Sequence, residues 1–136
     1  MGPGGEALNL LLDTNVFVFI VQQPARLPER ARAAIVDPAN TRYLSLASPW
    51  ELQIKSSLRK FDFDKPIREI VQREVDTGTV VLLPITLDHI ELLSRLPNHH
   101  RDPFDRLLIA QAMYEGLTLV TSDETIPKYA VPVLWE

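Results

Sequence analysis

Four acidic residues that are far apart in the chain each stand at an end of an apolar segment, and they are Asp13, Glu51, Asp105 and Asp123. Carboxylate oxygens are the ligands that Mg²⁺ and Mn²⁺ prefer, so acids that converge in space can form a metal site. A divalent cation held there would activate a bound water and offset negative charge that develops on a substrate. That chemistry requires the fold to bring the four side chains together.

Short apolar runs with the length of buried strands occur at residues 8–12, 43–47, 80–85, 117–121 and 131–135. Three of these runs are rich in Val, Leu or Ile with little alternation, which is typical of a parallel sheet covered on both faces. Ligands of such sheets bind beyond the carboxyl ends of the strands. Asp13 and Asp123 follow two of the runs, which is the expected place for a site.

Helical patterns fill the segments between these runs, at residues 28–37, 49–60, 66–77, 87–96 and 103–115. Gly78 and Gly116 follow two of them, at the position where a left-handed C-terminal cap is expected. Strands that alternate with helices predict a compact α/β domain with a central, mainly parallel sheet of about five strands.

The length and composition limit the class of protein. A chain of 136 residues suffices for one domain with a sizeable core, and we expect a flexible leader at residues 1–7 and a single domain at 8–136. The absence of cysteine excludes disulfides and thiolate metal sites. Without a basic signal peptide or a run long enough to span a bilayer, we expect a cytoplasmic protein. The net charge of −4 argues against non-specific electrostatic binding to nucleic acid, although cations bound in an acidic pocket would invert the local charge.

Each acid also has a local structural explanation that needs no chemistry. Asp13 has the residue type of a helix N-cap or a turn. Ser48-Pro49-Trp50-Glu51 has the pattern of a capping box, with Ser48 as the N-cap and Glu51 at the third helical position. Capping and metal binding are compatible, because both place the carboxylate at the mouth of a helix. From the local sequence alone, the cap is the favoured interpretation of Glu51.

The other two acids have similar alternatives. Asp102 is the better N-cap of the helix that begins with Pro103, which leaves Asp105 as the better metal ligand of the pair. Acids in a first helical turn are also stabilised by the helix dipole. Asp123 has the alternative role of capping the short segment 124–128.

Several polar side chains stand near the four acids and are candidates for contact with substrate or for support of the ligands. The set consists of Thr14, Asn15, Asp102, Thr121, Ser122, Lys55 and Arg106. A solvated face is the default interpretation of the basic residues. His99 and His100 fit an exposed polar loop better than a metal site, since they lack the ligand spacing of helical histidines. We expect Trp50 and Phe104 to anchor the core.

Taken together, the motifs resemble those of the PIN domain family, in the form found in VapC toxins. The resemblance extends from Leu8 to Trp135. The motifs are Leu11-Leu12-Asp13-Thr14-Asn15, Ser48-Pro49-Trp50-Glu51-Leu52-Gln53-Ile54-Lys55, His100-Arg101-Asp102-Pro103-Phe104-Asp105-Arg106-Leu107-Leu108-Ile109-Ala110-Gln111-Ala112 and Leu119-Val120-Thr121-Ser122-Asp123. Each is weak alone, whereas four in this order within a small α/β chain form a specific signal.

This resemblance implies an α/β/α sandwich and a Mg²⁺- or Mn²⁺-dependent endoribonuclease that acts as the toxin of a toxin–antitoxin pair. By position, the family's acidic residues fall on Asp13, Glu51, Asp105 and Asp123. The resemblance also implies a homodimer and a VapB-like antitoxin as partner. The alternatives are a binding module without useful catalysis, and a metal-dependent DNA nuclease or phosphatase on the same fold.

Overall fold

The computed structural model describes residues 7–58 and 63–136, so most of the expected leader, and Arg59 and Lys60 at the expected end of a helix, lie outside it. In this part of the chain one sheet of five strands has the order β3-β2-β1-β4-β5, and every neighbouring pair is parallel. The strands are β1 (Asn9–Leu12), β2 (Thr41–Ser45), β3 (Val81–Leu83), β4 (Thr118–Val120) and β5 (Val133–Leu134). The predicted parallel sheet of about five strands is confirmed.

Helices cover both faces of this sheet. They are α1 (Thr14–Gln22), α2 (Glu29–Val36), α3 (Ala47–Ser57), α4 (Ile67–Asp76), α5 (Leu87–Leu93) and α6 (Pro103–Glu115), with 3-10 turns at Pro24–Arg26 and Ile126–Lys128. Among the described residues, no helix is both long and apolar enough to cross a membrane.

The central strand shows how the two cores are separated. Leu10 and Leu12 of β1 pack into one cluster, with residues of α1, α2 and α4. Leu11, between them, packs into the other cluster, with residues of α5 and α6. Successive side chains of a strand point to opposite faces, so an uninterrupted apolar run fills both layers. This arrangement is the expected α/β/α sandwich.

Two helix ends follow the sequence prediction and one helix was not predicted. Gly78 and Gly116 have φ of 78° and 69°, the left-handed conformation that closes α4 and α6.

The segment that forms α1 is rich in Val, Ile and Phe, which favour strands. Its helical start depends on Asp13, whose side chain accepts a hydrogen bond from the backbone N–H of Val16.

The strand order places the carboxyl ends of β1 and β4 side by side in the middle of the sheet. β1 and β4 are neighbours, although the connection after β1 leads towards β2 and the connection after β4 leads towards β5 on the other side. Such a reversal of strand order opens a crevice at the carboxyl ends of the two strands. Asp13 follows β1 directly, and Asp123 follows β4 by three residues.

Candidate active site

Asp13 is buried at the carboxyl end of the central strand. Its backbone N–H donates to Val120 O over 3.1 Å, which extends the pairing of β1 with β4 up to the site. Its Oδ1 accepts from the Val16 N–H over 2.7 Å, so of the two local roles considered for Asp13, helix N-cap or turn residue, it has that of the N-cap. Thr121 contributes a further side-chain hydrogen bond to this carboxylate.

Glu51 is also buried, but the predicted capping box around it is wrong. Helix α3 begins at Ala47, two residues earlier than the pattern indicated, and Leu46 precedes it without a side-chain cap. The Ser45 hydroxyl accepts from the Ala47 N–H over 3.0 Å, while the buried Ser48 hydroxyl bonds to Thr14 Oγ1 over 2.9 Å. Pro49 fits in this first turn because its missing N–H would have no helical partner there. Glu51 is therefore not used as a cap.

Helix α6 begins as the sequence indicated. Asp102 is its N-cap and accepts from the backbone N–H groups of Phe104 at 2.8 Å and Asp105 at 3.4 Å. Pro103 occupies the first turn. The side chain of Asp105 is therefore not needed as a cap. It lies in the first turn of the helix, where the helix dipole favours a negative charge.

Asp123 is fixed by the loop that follows β4. Its Oδ1 accepts from the Thr125 N–H over 2.7 Å, and its own N–H donates to Thr121 Oγ1 over 3.1 Å. Thr121 is buried between Asp13 and Asp123, whereas Ser122 is exposed. Asp123 was suggested as the cap of segment 124–128, but Thr125 is the N-cap of the 3-10 turn Ile126–Lys128, and Asp123 makes a local bond to the Thr125 N–H. This local bond is compatible with a place in the site.

The electrostatics of the acids show that they converge. Burial raises the pKa of Asp13 to about 6, and the negative charges of Glu51 and Asp123 add to the rise. Burial likewise raises the pKa of Asp105 to about 7, with contributions from the charges of Asp102, Asp13 and Glu51. Carboxylates at this proximity repel one another unless a proton or a cation neutralises them.

Asp123 differs from the other acids in the direction of its shift. Burial acts to raise its pKa, but hydrogen bonds from His100 and from the Thr125 N–H outweigh burial and hold the pKa below its ordinary value. The acidic cluster therefore contains one carboxyl that stays ionised easily, Asp123, beside two that bind a proton readily, Asp13 and Asp105.

The family model of the PIN domain matches residues 10–132, nearly the whole chain. The chain belongs to the PIN domain family. PIN domains are generally metal-dependent nucleases and typically bind divalent cations. A comparison with curated proteins found no match.

Solved structures with the same fold include several toxin–antitoxin complexes. The crystal structure of VapBC2 from Rickettsia felis, bound to a promoter DNA fragment, matches with a TM-score of 0.70 and 16% identity over 95% of this chain and 100% of that chain. DNA-bound VapBC from Salmonella typhimurium matches with 0.64 and 18% identity over 93% and 97%. VapBC-5 from Mycobacterium tuberculosis matches with 0.56 and 18% identity over 93% and 95%. At these identities the likeness establishes the fold.

The residues of this PIN domain fit a divalent cation. Among the described residues, Glu51 Oε1 is one of two buried side-chain atoms without a hydrogen-bond partner, and it belongs to a residue that is 3% exposed. A buried carboxylate oxygen without a donor is costly unless a cation or an ordered water satisfies it. The other oxygen of Glu51 forms an ion pair with Lys55. An all-oxygen donor set of this kind suits Mg²⁺ or Mn²⁺.

The supporting residues of the PIN domain have different surroundings. Thr14 is buried beside Ser48, and Asn15 is exposed at the start of α1. Arg106 donates to Pro97 O over 2.9 Å and to Leu93 O over 3.3 Å, so its guanidinium holds the loop that precedes α6. These hydrogen bonds account for the orientation of Arg106 without a phosphate.

Two aromatic residues were predicted to anchor the core, and this is wrong for Trp50. Its side chain is 57% exposed on α3, whereas Phe104 packs against the core cluster of α5 and α6. The two rings contact edge to face, with centroids 4.9 Å apart. Trp50 lies on the solvent side of α3, which begins two residues earlier than predicted.

His100 is a site residue that the sequence pattern did not indicate. Its Nε2 lies 2.7 Å from Asp123 Oδ2 and 3.1 Å from Asp105 Oδ2. Little in the sequence indicated this role, because His100 contacts acids of two other segments and has no second histidine at the i+3 or i+4 spacing of a helical metal site. The only local clue is that His100 stands two residues before the N-cap Asp102, whose backbone N–H donates to the ring.

Proposed function

We propose that this PIN domain is a metal-dependent endoribonuclease that acts as the toxin of a toxin–antitoxin pair. The observation that carries the proposal is the convergence of four acids, two of them with pKa values raised by burial and mutual repulsion, at the carboxyl end of the central strand. Raised carboxyl pKa values in a crevice are typical of functional sites. Intact acids at all four positions also favour catalysis over a binding module.

The proposed roles of the acids follow from their surroundings. Asp13 and Asp105 are the principal metal ligands, since both carboxyls are buried and electrostatically coupled. Glu51 and Asp123 complete the site, and either can accept a proton from water. The bound Mg²⁺ or Mn²⁺ supplies activation of water and charge stabilisation on the phosphate. Residues proposed to support the ligands or contact the RNA are Thr14, Asn15, Asp102, Thr121, Ser122, Lys55 and Arg106.

The proposed partner is a VapB-like antitoxin. Support comes from the solved structures with this fold, several of which are VapBC complexes. A homodimer and a cytoplasmic location, where RNA is accessible, belong to the same proposal. A short neighbouring reading frame with a DNA-binding N-terminus would support it further.

The test of this proposal is metal-dependent cleavage of single-stranded RNA by the purified protein and by D13N. Asparagine keeps an oxygen that can accept from the Val16 N–H, so the variant retains the cap of α1. We expect cleavage by the native protein in Mg²⁺ or Mn²⁺ and none in excess chelator or by D13N. Equal cleavage by D13N, or cleavage in chelator, would contradict the proposal.

The stability of D13N separates loss of chemistry from loss of fold. Since the folded-state pKa of Asp13 is raised to about 6, ionisation of this buried carboxyl disfavours the metal-free fold, and stability falls as the pH rises from about 4 through 6. Without metal at pH 8, D13N should therefore melt no lower than the native protein. Single-stranded DNA and a small phosphomonoester serve as further substrates, because preferential cleavage of either would favour a DNA nuclease or a phosphatase instead.

A further inference from the structure

His100 contacts two of the acids through a single ring nitrogen. Its Nε2 and one oxygen each of Asp105 and Asp123 all lie within 4.8 Å of one another, a spacing that would also allow the three groups to hold a metal ion. The position of the ring proton decides between two roles. A protonated nitrogen donates hydrogen bonds and cannot bind a cation, whereas an unprotonated one can.

The second ring nitrogen identifies the tautomer. The backbone N–H of Asp102 donates to His100 Nδ1 over 3.1 Å. Because a backbone N–H is only a donor, Nδ1 must be the acceptor, and the proton of the neutral ring is on Nε2. Nε2–H then faces the carboxylate oxygens of Asp105 and Asp123, which are acceptors. Metal binding through Nε2 would move the proton to Nδ1, where it would oppose the Asp102 N–H.

The backbone around the ring is held independently of the acids. The hydroxyl oxygen of Tyr129, a residue that is 5% exposed, accepts from the backbone N–H groups of His99 at 3.0 Å and His100 at 2.8 Å. Arg106 donates to the same hydroxyl over 3.2 Å and to Pro97 O over 2.9 Å. The loop therefore fixes the position of the imidazole independently of the two carboxylates.

We propose that His100 is a positioning residue whose Nε2–H holds Asp105 and Asp123 at the metal centre without binding the ion itself. The proposal rests on the proposed metal-dependent function. A donor on one oxygen of a ligating carboxylate fixes the direction of the other, and such outer contacts govern metal affinity. Asp105 and Asp123 come from different elements, α6 and the loop after β4. A ring nitrogen that hydrogen-bonds to Asp123 and lies 3.1 Å from Asp105 therefore also constrains their separation.

The tautomer is tested directly by ¹⁵N NMR of the histidine rings at pH 8, without and with Mg²⁺. We expect His100 to carry its proton on Nε2 in the metal-free protein and to keep it there when Mg²⁺ saturates the site. His89, whose Nδ1 accepts from the Thr86 N–H and whose Nε2 faces Glu115, serves as an internal reference for this tautomer. A proton on Nδ1 of His100 in either state would overturn the proposal.

Calorimetric titration with Mn²⁺ tests the consequence for the metal centre. We expect H100A to bind Mn²⁺ about 10–100-fold more weakly than the native protein, the usual effect of removing an outer partner. H100Q, whose amide N–H can replace the Nε2–H donor, should recover most of the affinity. H99Q is the matched control, because His99 is exposed and its ring contacts Tyr129 rather than an acid.

The outcomes separate this proposal from the proposed function. Native affinity in H100A, or H100Q as weak as H100A, would overturn the positioning role alone. If H100A does not fold, the comparison of H100Q with the native protein and the tautomer measurement still decide. If the native protein binds no Mn²⁺, both proposals fail. If it binds Mn²⁺ but cleaves no RNA, the proposed ribonuclease activity fails, whereas the role of His100 is still decided by affinity and tautomer.

Discussion

Two histidines of this domain make nearly the same hydrogen bonds in very different surroundings. His89 Nδ1 accepts from the Thr86 N–H over 3.1 Å, and its Nε2 lies 2.7 Å from Glu115 Oε2. His100 repeats this pattern with the Asp102 N–H at 3.1 Å and Asp123 Oδ2 at 2.7 Å. In both cases a backbone donor determines the tautomer and leaves Nε2–H for a carboxylate.

The difference lies in the carboxylates. His89 is fully buried, completes the capping box of α5 with Thr86, and bonds to one acid that is partly exposed at the end of α6. Its contacts stabilise the packing of α5 on α6. His100 Nε2 instead hydrogen-bonds to Asp123 and also lies 3.1 Å from Asp105 Oδ2, so it contacts two acids of the site. The same hydrogen-bond pattern therefore supports helix packing at His89 and the acidic site at His100. The two histidines differ in the number of carboxylates that they contact, which is one for His89 and two for His100.

The largest expected effect on RNA cleavage comes from neutralising an acid that faces His100. D105N removes a principal metal ligand and should lower RNA cleavage at least about 100-fold, as expected when charge stabilisation at the reacting group is lost. E115Q makes the same chemical change beside His89 and should cleave at the native rate. Both are measured by cleavage of a fluorescent RNA in Mn²⁺. A comparable loss of activity in E115Q would remove the distinction between the two clusters.

A second prediction uses pH, since the His100 cluster contains a carboxyl with a strongly raised pKa. Asp105, at about 7, and Asp13, at about 6, must lose their protons before they bind a cation, so metal affinity is lost as the pH falls through these values. Between pH 8 and 5.5 the Mn²⁺ affinity should fall on the order of 100-fold. Calorimetry over this range measures it, and a constant affinity would contradict convergence of the acids.

The smallest expected effect on the site is that of H89A. Loss of the His89 half of the capping box and of a buried, hydrogen-bonded ring should lower the free energy of unfolding by about 2–4 kcal/mol. Mn²⁺ affinity should remain native at temperatures where the variant is folded. Urea denaturation measures the first quantity and calorimetry the second. A variant with native stability and weakened Mn²⁺ binding would show that His89 belongs to the site after all.

The sequence was sufficient for the features that depend on local patterns. Apolar runs predicted the parallel strands, Gly78 and Gly116 predicted two helix ends, and Asp102 before Pro103 predicted the start of α6. Acids at the ends of the apolar segments marked the pocket, because β1 and β4 must end at one edge of a parallel sheet.

The remaining features depend on tertiary contacts that no local pattern contains. The capping box at Ser48 failed because the Ser48 hydroxyl bonds to Thr14, on a different helix, and the Ser45 hydroxyl takes the Ala47 N–H. His100 was missed because its two acids come from separate elements and its loop is held by Tyr129, 29 residues later. Helix α1 was missed because its β-branched and aromatic residues are buried between the sheet and its neighbours, which overrides their preference for strands.

The central claim is that the four acids hold a divalent cation while His100 positions two of them. The most direct measurement is the location of Mn²⁺ by anomalous scattering in crystals grown with the ion. We expect a peak among the carboxylate oxygens of Asp13, Glu51, Asp105 and Asp123, with His100 Nε2 bonded to carboxylate oxygen and not to the ion. The absence of a peak between these acids at saturating Mn²⁺, or a peak coordinated by His100 Nε2, would contradict the account.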